Sequence, residues 1–270
     1  MFKIRIFAIL LRKLRGENLK ERRIKKLEDY IVDTERASIE ELCAMFNVSK
    51  NTIRRDINEL EKKGKIKKVY GGIVLSDKKT TEPFECREEK NKEVKQIIAA
   101  FASSFVEDGD IIFIDSGTTT MHMVPHLSEK KNLTIISNNL NVIVSSLPYP
   151  DLNIISTGGT LFRRTNSFVD ANAVANLKRY NISKAFMATT GVSIAKGVTN
   201  SSSFEYDIKK YVVENCDKVI LLADNTKLGR ISLTTYYDLK DIHVFITNTR
   251  PDKEYLEFFS QHGIELITPQ

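Results

Sequence analysis

Asn51, Thr52, Arg55 and Asn58 are the residues whose types and spacing most directly suggest chemistry. At about 100° per residue, Ile53, Ile57 and Leu60 fall within about 60° of one another and make an apolar stripe. Asn51 and Arg55 then point close to the opposite direction, flanked by Thr52 and Asn58. An arginine can bridge guanine O6 and N7, and an asparagine can bridge adenine N6 and N7, so this face suits base edges in a major groove. Lys50 and Arg54 beside it, and Lys65, Lys67 and Lys68 in a basic tail, suit phosphate oxygens. Ser38 and Ser49, at the starts of two successive helices, complete the set of expected DNA-binding residues. A helical hairpin with a merely solvated charged face is the blander alternative. It is disfavoured because cap, turn, second cap and basic tail come in the order that a winged helix-turn-helix requires.

A second set of polar residues follows a series of apolar runs. Asp115-Ser116-Gly117-Thr118-Thr119 comes after Ile111–Ile114, Ser137-Asn138-Asn139 after Leu133–Ile136, and Thr157-Gly158-Gly159-Thr160 after Leu152–Ile155, with Arg163 and Arg164 close behind. Thr189-Thr190-Gly191 follows Ala185–Met187, and Asp224-Asn225-Thr226-Lys227 follows Val219–Leu222. Small, hydroxyl-rich turns that open helices present backbone N–H groups to a phosphate, and a lysine or arginine neutralises it. One such turn is ordinary punctuation between a strand and a helix. Several along one sheet edge predict a site for a small polar anion. Its candidate residues are Asp115, Ser116, Gly117, Thr118, Thr119, Asn138, Gly158, Gly159, Arg163 and Lys227.

The elements that must position these residues can be read outward from them. Ser38 and Glu41 form a capping box, Ile39, Leu42 and Phe46 stripe the helix it starts, and Asn47-Val48 turns the chain into the Ser49-capped second helix. An earlier helix near 19–32 carries Ile24, Leu27 and Ile31 at helical spacing. Further on, seven short, continuous apolar runs end with Val244–Ile246 and Ile264–Ile267, and helical patterns at 121–127, 142–147, 204–213 and 252–262 separate several of them. Continuous rather than alternating runs, interleaved with helices, predict an α/β architecture around a mostly parallel wound sheet, with ligands at the carboxyl ends of its strands. The expected organisation is a basic extension over 1–18, a winged helix-turn-helix DNA-binding domain over 19–75, a linker over 76–90 that includes a polar, Pro-ended hinge, and a ligand-sensing and oligomerisation domain over 91–270.

Composition agrees with a protein that meets a polyanion at one end. The 270 residues carry a net charge of +6, but residues 1–80 hold 21 lysines and arginines against 12 acidic residues, while the remainder is slightly acidic. Such asymmetry predicts salt-dependent phosphate contacts. Cys43, Cys86 and Cys216 lack paired spacing and read as reduced thiols of a cytoplasmic protein. The uncharged run in the N-terminal segment, Ile6–Leu11, is too short for a secretory core or a membrane span. That segment is read as an extra basic helix or frayed extension, with a surface-lying membrane helix as the alternative. His122 and His126 have metal-ligand spacing but no nearby third ligand, so neither a metal nor a cofactor is expected.

The run Val48-Ser49-x-x-Thr52-Ile53-Arg54-Arg55-Asp56-Ile57-x-x-Leu60-Glu61-x-x-Gly64, ending in Tyr70-Gly71-Gly72, resembles the signature of the DeoR-type bacterial transcriptional repressors, with Glu21-Arg22-Arg23-Ile24 and Glu40-Glu41-Leu42 upstream of it also similar. Asp108-Gly109-Asp110, Asp115-Ser116-Gly117-Thr118-Thr119, Ser137-Asn138, Gly158-Gly159, Gly197-Val198-Thr199, Glu205-x-x-x-Lys209 and Ala223-Asp224-x-x-Lys227-x-Gly229 resemble the sensor domain of the same proteins, with a lean toward the glucitol-repressor branch at Met123-Val124-Pro125 and Gly158–Arg163. The resemblance implies a sensor related in fold to ribose-5-phosphate isomerase, and it adds Glu205 to the ligand residues. It implies a homo-oligomer, a dimer or tetramer, that binds double-stranded operator DNA and represses a carbohydrate operon under the control of a phosphorylated sugar. An activator of the same class is one alternative. Many members carry two acidic residues in the turn after the fourth strand, where this chain has Ala188-Thr189-Thr190-Gly191-Val192-Ser193, and Asp170 stands where a glycine is usual. Sugar isomerisation needs a positioned carboxylate base. The loss of those acids therefore makes an isomerase-like enzyme the less favoured alternative, and no catalytic residue is assigned.

Overall fold

The capping box at Ser38 is formed. Ser38 Oγ accepts from the Glu41 amide at 3.1 Å, and Glu41 Oε2 accepts from the Ser38 amide at 2.7 Å. The computed structural model describes residues 20, 22–31, 34, 36–62, 66–69, 71–75 and 82–269. The chain divides into two compact units between Thr80 and Thr81.

In the first unit, α1 (residues 22–31) precedes β1 (Arg36–Ser38), α2 (Ile39–Phe46), α3 (Lys50–Lys62), β2 (Ile66–Val69) and β3 (Gly72–Leu75). The three strands form an antiparallel sheet in the order β1-β3-β2. Asn47 closes α2 in the left-handed conformation, φ 49°, a backbone that asparagine tolerates better than most residues. Gly72 is required where β3 meets β1, because a Cβ there would sit 2.3 Å from the Ala37 carbonyl oxygen. Ile24, Leu27 and Ile31 of α1 join Leu42, Ile53, Ile57, Leu60, Ile66 and Ile73 in one core. Residues 1–18, Glu21, Lys65, Tyr70 and the hinge over 76–81 lie outside the described residues.

The second unit opens with α4 (Phe84–Glu89) and α5 (Lys92–Ser103). The later part of the expected linker is therefore helix. Phe84 is buried, and its amide donates to the Arg164 carbonyl at 3.0 Å, so an apolar anchor holds a segment whose charged composition reads as solvated. Next come β4 (Ile111–Ile114), a 3-10 helix (Thr120–Leu127), β5 (Thr134–Ser137), α6 (Leu140–Ser146), β6 (Asn153–Ser156), β7 (Thr160–Phe162), β8 (Ser167–Val169), α7 (Ala171–Leu177), β9 (Ile182–Ala188), β10 (Gly191–Ser193) and β11 (Gly197–Asn200). The chain ends through α8 (Tyr206–Glu214), β12 (Cys216–Leu222), β13 (Thr234–Tyr237), β14 (Val244–Ile246), α9 (Lys253–Gln261) and β15 (Glu265–Ile267).

The seven apolar runs are the seven strands of one sheet, in the order β15-β14-β12-β9-β4-β5-β6, and every pairing in it is parallel. Both faces are covered. Ile112 and Ile114 pack with Ile98, Met123, Val124 and Val142 on one side, while Phe113 packs with Leu177, Ile208, Val212 and Phe259 on the other. Consecutive residues of a strand face opposite layers, so a strand covered twice must be apolar throughout. The β7-β8 hairpin and the antiparallel β10-β11-β13 sheet are additions that the apolar runs did not announce.

Candidate nucleic-acid interface and ligand cavity

On α3 the buried residues are Ile53, Asp56, Ile57 and Leu60. Asn51, Arg54, Arg55 and Asn58 are exposed, and Thr52 is half-buried. The Ser49 hydroxyl accepts from the Thr52 amide at 3.3 Å and lies 3.0 Å from the Thr52 hydroxyl. Lys50 pairs with Glu40 at 2.6 Å, an exposed contact that a phosphate could displace at small cost. Lys67 and Lys68 are exposed on β2, with Lys68 paired to Glu61. Ser38 is taken up by its capping box. Asp56, on the buried side of α3, receives a two-pronged bond from Arg23 of α1 at 2.6 and 3.2 Å, which fixes α3 against α1. The residues expected to read bases thus share an open face on a helix whose other side is locked.

At the carboxyl ends of the sensor strands lies a cavity of about 310 Å³. Gly117, Thr118, Thr119 and Lys227, all expected there, line it. Gly117 admits no side chain, because a Cβ would lie 2.1 Å from that of Ala188. Thr189 and Thr190 also line it, and their hydroxyls are committed to neighbouring groups: Thr189 Oγ1 donates to the Gly191 and Thr199 carbonyls and Thr190 Oγ1 to Asn200 Oδ1.

Asp115, Ser116 and Glu205 are not lining residues but form a buried network. Lys209 pairs with Asp115 Oδ2, which also accepts from the Ala188 amide at 2.9 Å. Glu205 accepts from Ser116 Oγ at 2.7 Å, Ser167 Oγ at 2.8 Å and Asn200 Nδ2 at 2.9 Å. Burial alone pushes the Glu205 carboxyl up, but the Lys209 charge and the bonds from Asn200 and Ser116, with Arg87 behind them, bring it below the ordinary carboxylate value. An ionised carboxylate that accepts from three separate segments and lies outside the cavity lining ties the framework together rather than facing a ligand.

Asn138 is buried, does not line the cavity, and has neither amide atom hydrogen-bonded. Gly158 and Gly159 turn the chain beside Asp170, and Arg163 is exposed elsewhere. Asp170 adopts φ 107°, a glycine-like conformation. It is held there because its carboxylate accepts from the amides of Asn172, Ala173 and Thr160 and from the Thr160 hydroxyl. Those bonds are absent for a glycine and offset part of the backbone strain.

The cavity's remaining cations, Arg87, Lys90, Lys95 and Arg230, were not singled out from the sequence. Lys95 is 3% exposed and donates to the Arg87 carbonyl. Burial first, and then the Lys227 charge, lower its pKa to about 8. Arg87 Nε donates to the Glu82 carbonyl at 3.1 Å, while its Nη2 is buried without a hydrogen-bond partner. Desolvation lowers the Arg87 pKa, with Glu205 opposing. Lys227 pairs with Asp224 at 3.0 Å and Lys90 with Glu82 at 2.7 Å. One signal for Lys95 was available: it shares the buried stripe of α5 with Ile98, Ala99 and Ala102, a position where a lysine needs a reason. Among the described residues no group of three metal-ligating side chains gathers, and no helix is long and apolar enough to cross a membrane.

Residues 23–79 match the DeoR-like helix-turn-helix domain, and residues 90–249 match the DeoR C terminal sensor domain. The HTH-type transcriptional regulator IolR of Bacillus subtilis (strain 168) is 44% identical over 91% of this chain and 98% of its own length. The glycerol-3-phosphate regulon repressor of Escherichia coli (strain K12) is 28% identical over 85% of this chain and 91% of its own. Among solved structures, ribose 5-phosphate isomerase A of Methanocaldococcus jannaschii superposes with a TM-score of 0.39 at 18% identity, over 52% of this chain and 55% of that one.

Proposed function

The chain belongs to the DeoR family of helix-turn-helix transcriptional regulators, and from that premise we propose a cytoplasmic repressor of a carbohydrate-metabolism operon, controlled by a small phosphorylated sugar. It is a regulator and not an enzyme, as its relatives along nine-tenths of its length are. Asn51, Thr52, Arg55 and Asn58 read bases from the open face of α3, and Lys50, Arg54, Lys65, Lys67 and Lys68 hold phosphates. Homo-oligomerisation, to a dimer or tetramer, places readers on paired half-sites. Relatives named as repressors support the direction of control.

The observation that carries the effector reading is the charge of the cavity: five cationic side chains line it against one lining carboxylate, Glu82. Even with Lys90 paired to Glu82 and Lys227 to Asp224 behind the wall, the cations Arg87, Lys95 and Arg230 remain in excess. Cations gathered in a partly desolvated site repel one another, and a phosphate relieves that repulsion. The effector binds one quaternary arrangement better than another and so shifts operator affinity.

Footprinting on DNA upstream of the protein's own gene, with a panel of sugar phosphates and the same sugars unphosphorylated, tests both halves. A protected stretch that responds only to phosphorylated compounds is expected. Protection indifferent to every phosphorylated sugar overturns the effector assignment, and no protected stretch at modest ionic strength overturns the regulator's assigned operator.

A further inference from the structure

The cavity wall is not made by the wound sheet alone. Glu82, Arg87 and Lys90 line it from α4 and its flanks, the first described segment after the chain passes from one unit into the other at Thr80 and Thr81. α4 has six residues and no side-chain cap, so little in its own sequence holds it as a helix. What holds it is the buried Phe84 ring, the bond from the Phe84 amide to the Arg164 carbonyl, and the bond from Lys95 to the Arg87 carbonyl. Two of its cavity cations are incompletely used: Lys90 has only an exposed contact with Glu82, and Arg87 Nη2 is buried with no acceptor.

Resting on the reading of the cavity as an anion site, we propose that α4 is the element through which occupancy is reported: the bound anion is gripped from one side by Arg87 and Lys90 and from the other by Lys95, Lys227 and Arg230, which fastens α4 to the sheet body. An anion supplies Arg87 Nη2 with the acceptor it lacks. It also offsets the like charge of the cations that line the cavity, of which Lys90 is otherwise paired with Glu82 and Lys227 with Asp224. Because α4 directly follows the segment leading from the reader, fastening it changes the tether on which the reader is carried. A ligand held by the sheet turns alone would have no such lever. The differential contact that a conformational response requires is therefore located in Arg87 and Lys90.

The test uses the full chain with inorganic phosphate as probe, against sodium chloride of equal ionic strength. Thermal shift reads occupancy, and hydrogen–deuterium exchange reads α4. Phosphate is expected to raise Tm and to slow exchange across residues 84–90 by about fivefold or more, the low end of ordinary coupling. Both Lys227→Gln and Arg87→Gln should weaken phosphate binding. At saturating phosphate, Lys227→Gln should recover the protection of 84–90 and Arg87→Gln should not. Unchanged exchange in β4 and β9 certifies that each variant is folded. A rise in Tm with no change over 84–90, or equal recovery in both variants, overturns the proposal while leaving the anion site standing. No response of Tm or exchange to phosphate overturns both.

Discussion

On α3, Lys50, Arg54 and Arg55 stand exposed along a single helix. In the sensor cavity, Lys95 is buried, Arg87 and Lys227 are half-buried, Lys90 and Arg230 are exposed, and the five come from three segments: α4 with its C-terminal flank, α5 and the turn after β12. The residue types are the same, and the surroundings give them different physics. Exposed cations on a helix face act on a polyanion through counterion release and through the geometry of their donors, and salt is the variable that governs them. Cations brought together with partial desolvation carry a cost in the empty protein that a small anion removes, and pH becomes the governing variable. Beneath the cavity, Lys209 is taken further still, fully buried and matched to Asp115. Burial thus grades this protein's cations from the exposed face of α3 through the cavity lining to the buried Lys209–Asp115 pair.

The sharpest way to break that grading is at its buried end. Lys209→Ala leaves the Asp115 carboxylate without its cation and should destabilise the sensor unit by about 3–5 kcal/mol in chemical denaturation. A loss under about 1 kcal/mol would show that water reaches Asp115 and that the pair is not structural. At the exposed end, Arg55→Ala should cost about 1–3 kcal/mol of operator affinity and relax base preference at one position, read by competition with single-base operator variants. Equal loss on every sequence would move Arg55 to the phosphate-contacting set.

Between these lies the pH test. Burial, and then the Lys227 charge, push the Lys95 ammonium below its ordinary pKa, to about 8. Its charge, and with it effector affinity, should fall as pH rises through about 8 in titration calorimetry. In the unliganded protein the sign for stability is the reverse: the unfolded chain holds this proton up to its ordinary pKa, so the Lys95 contribution to stability rises with pH above about 8. Lys95→Met should lower effector affinity and flatten its pH profile. The smallest effect belongs to Lys67→Ala, which should reduce the salt slope of DNA binding by about one while leaving base preference intact.

How legible each part was follows from how local its causes are. The reader's cap at Ser38, the turn at Asn47 and the stripe of Ile53, Ile57 and Leu60 lie within a few turns of one another, and the structure forms each of them. The bond that fixes α3, between Arg23 and Asp56, spans 33 residues and could not be read from spacing. The seven sheet strands were visible because strands covered on both faces are apolar throughout. The short strands β7, β8, β10, β11 and β13 are not among those runs, and segments such as Gly197-Val198-Thr199-Asn200 mix polar residues into a pairing set by distant partners. Gly117, Thr118, Thr119 and Lys227 were found from the turns after strands. Glu205 stood out as well, but its three donors come from three separate segments and take it out of the cavity's lining.

The amino-acid order alone determined that one end of this chain carries a helix with an apolar stripe opposite a basic, amide-bearing face, and that seven buried strands follow. Both are periodic patterns whose physical basis, burying one face or two, acts over a few neighbouring residues. Only the tertiary structure decided which charges meet. Arg87, Lys90 and Lys95 sit in a stretch that reads as a solvated lead-in, and they become cavity cations because Phe84 anchors α4 beside the strand ends and Lys95 faces inward from α5. The charge state of a side chain depends on what desolvates it and what stands opposite, and those neighbours are brought by the fold from positions far away in sequence.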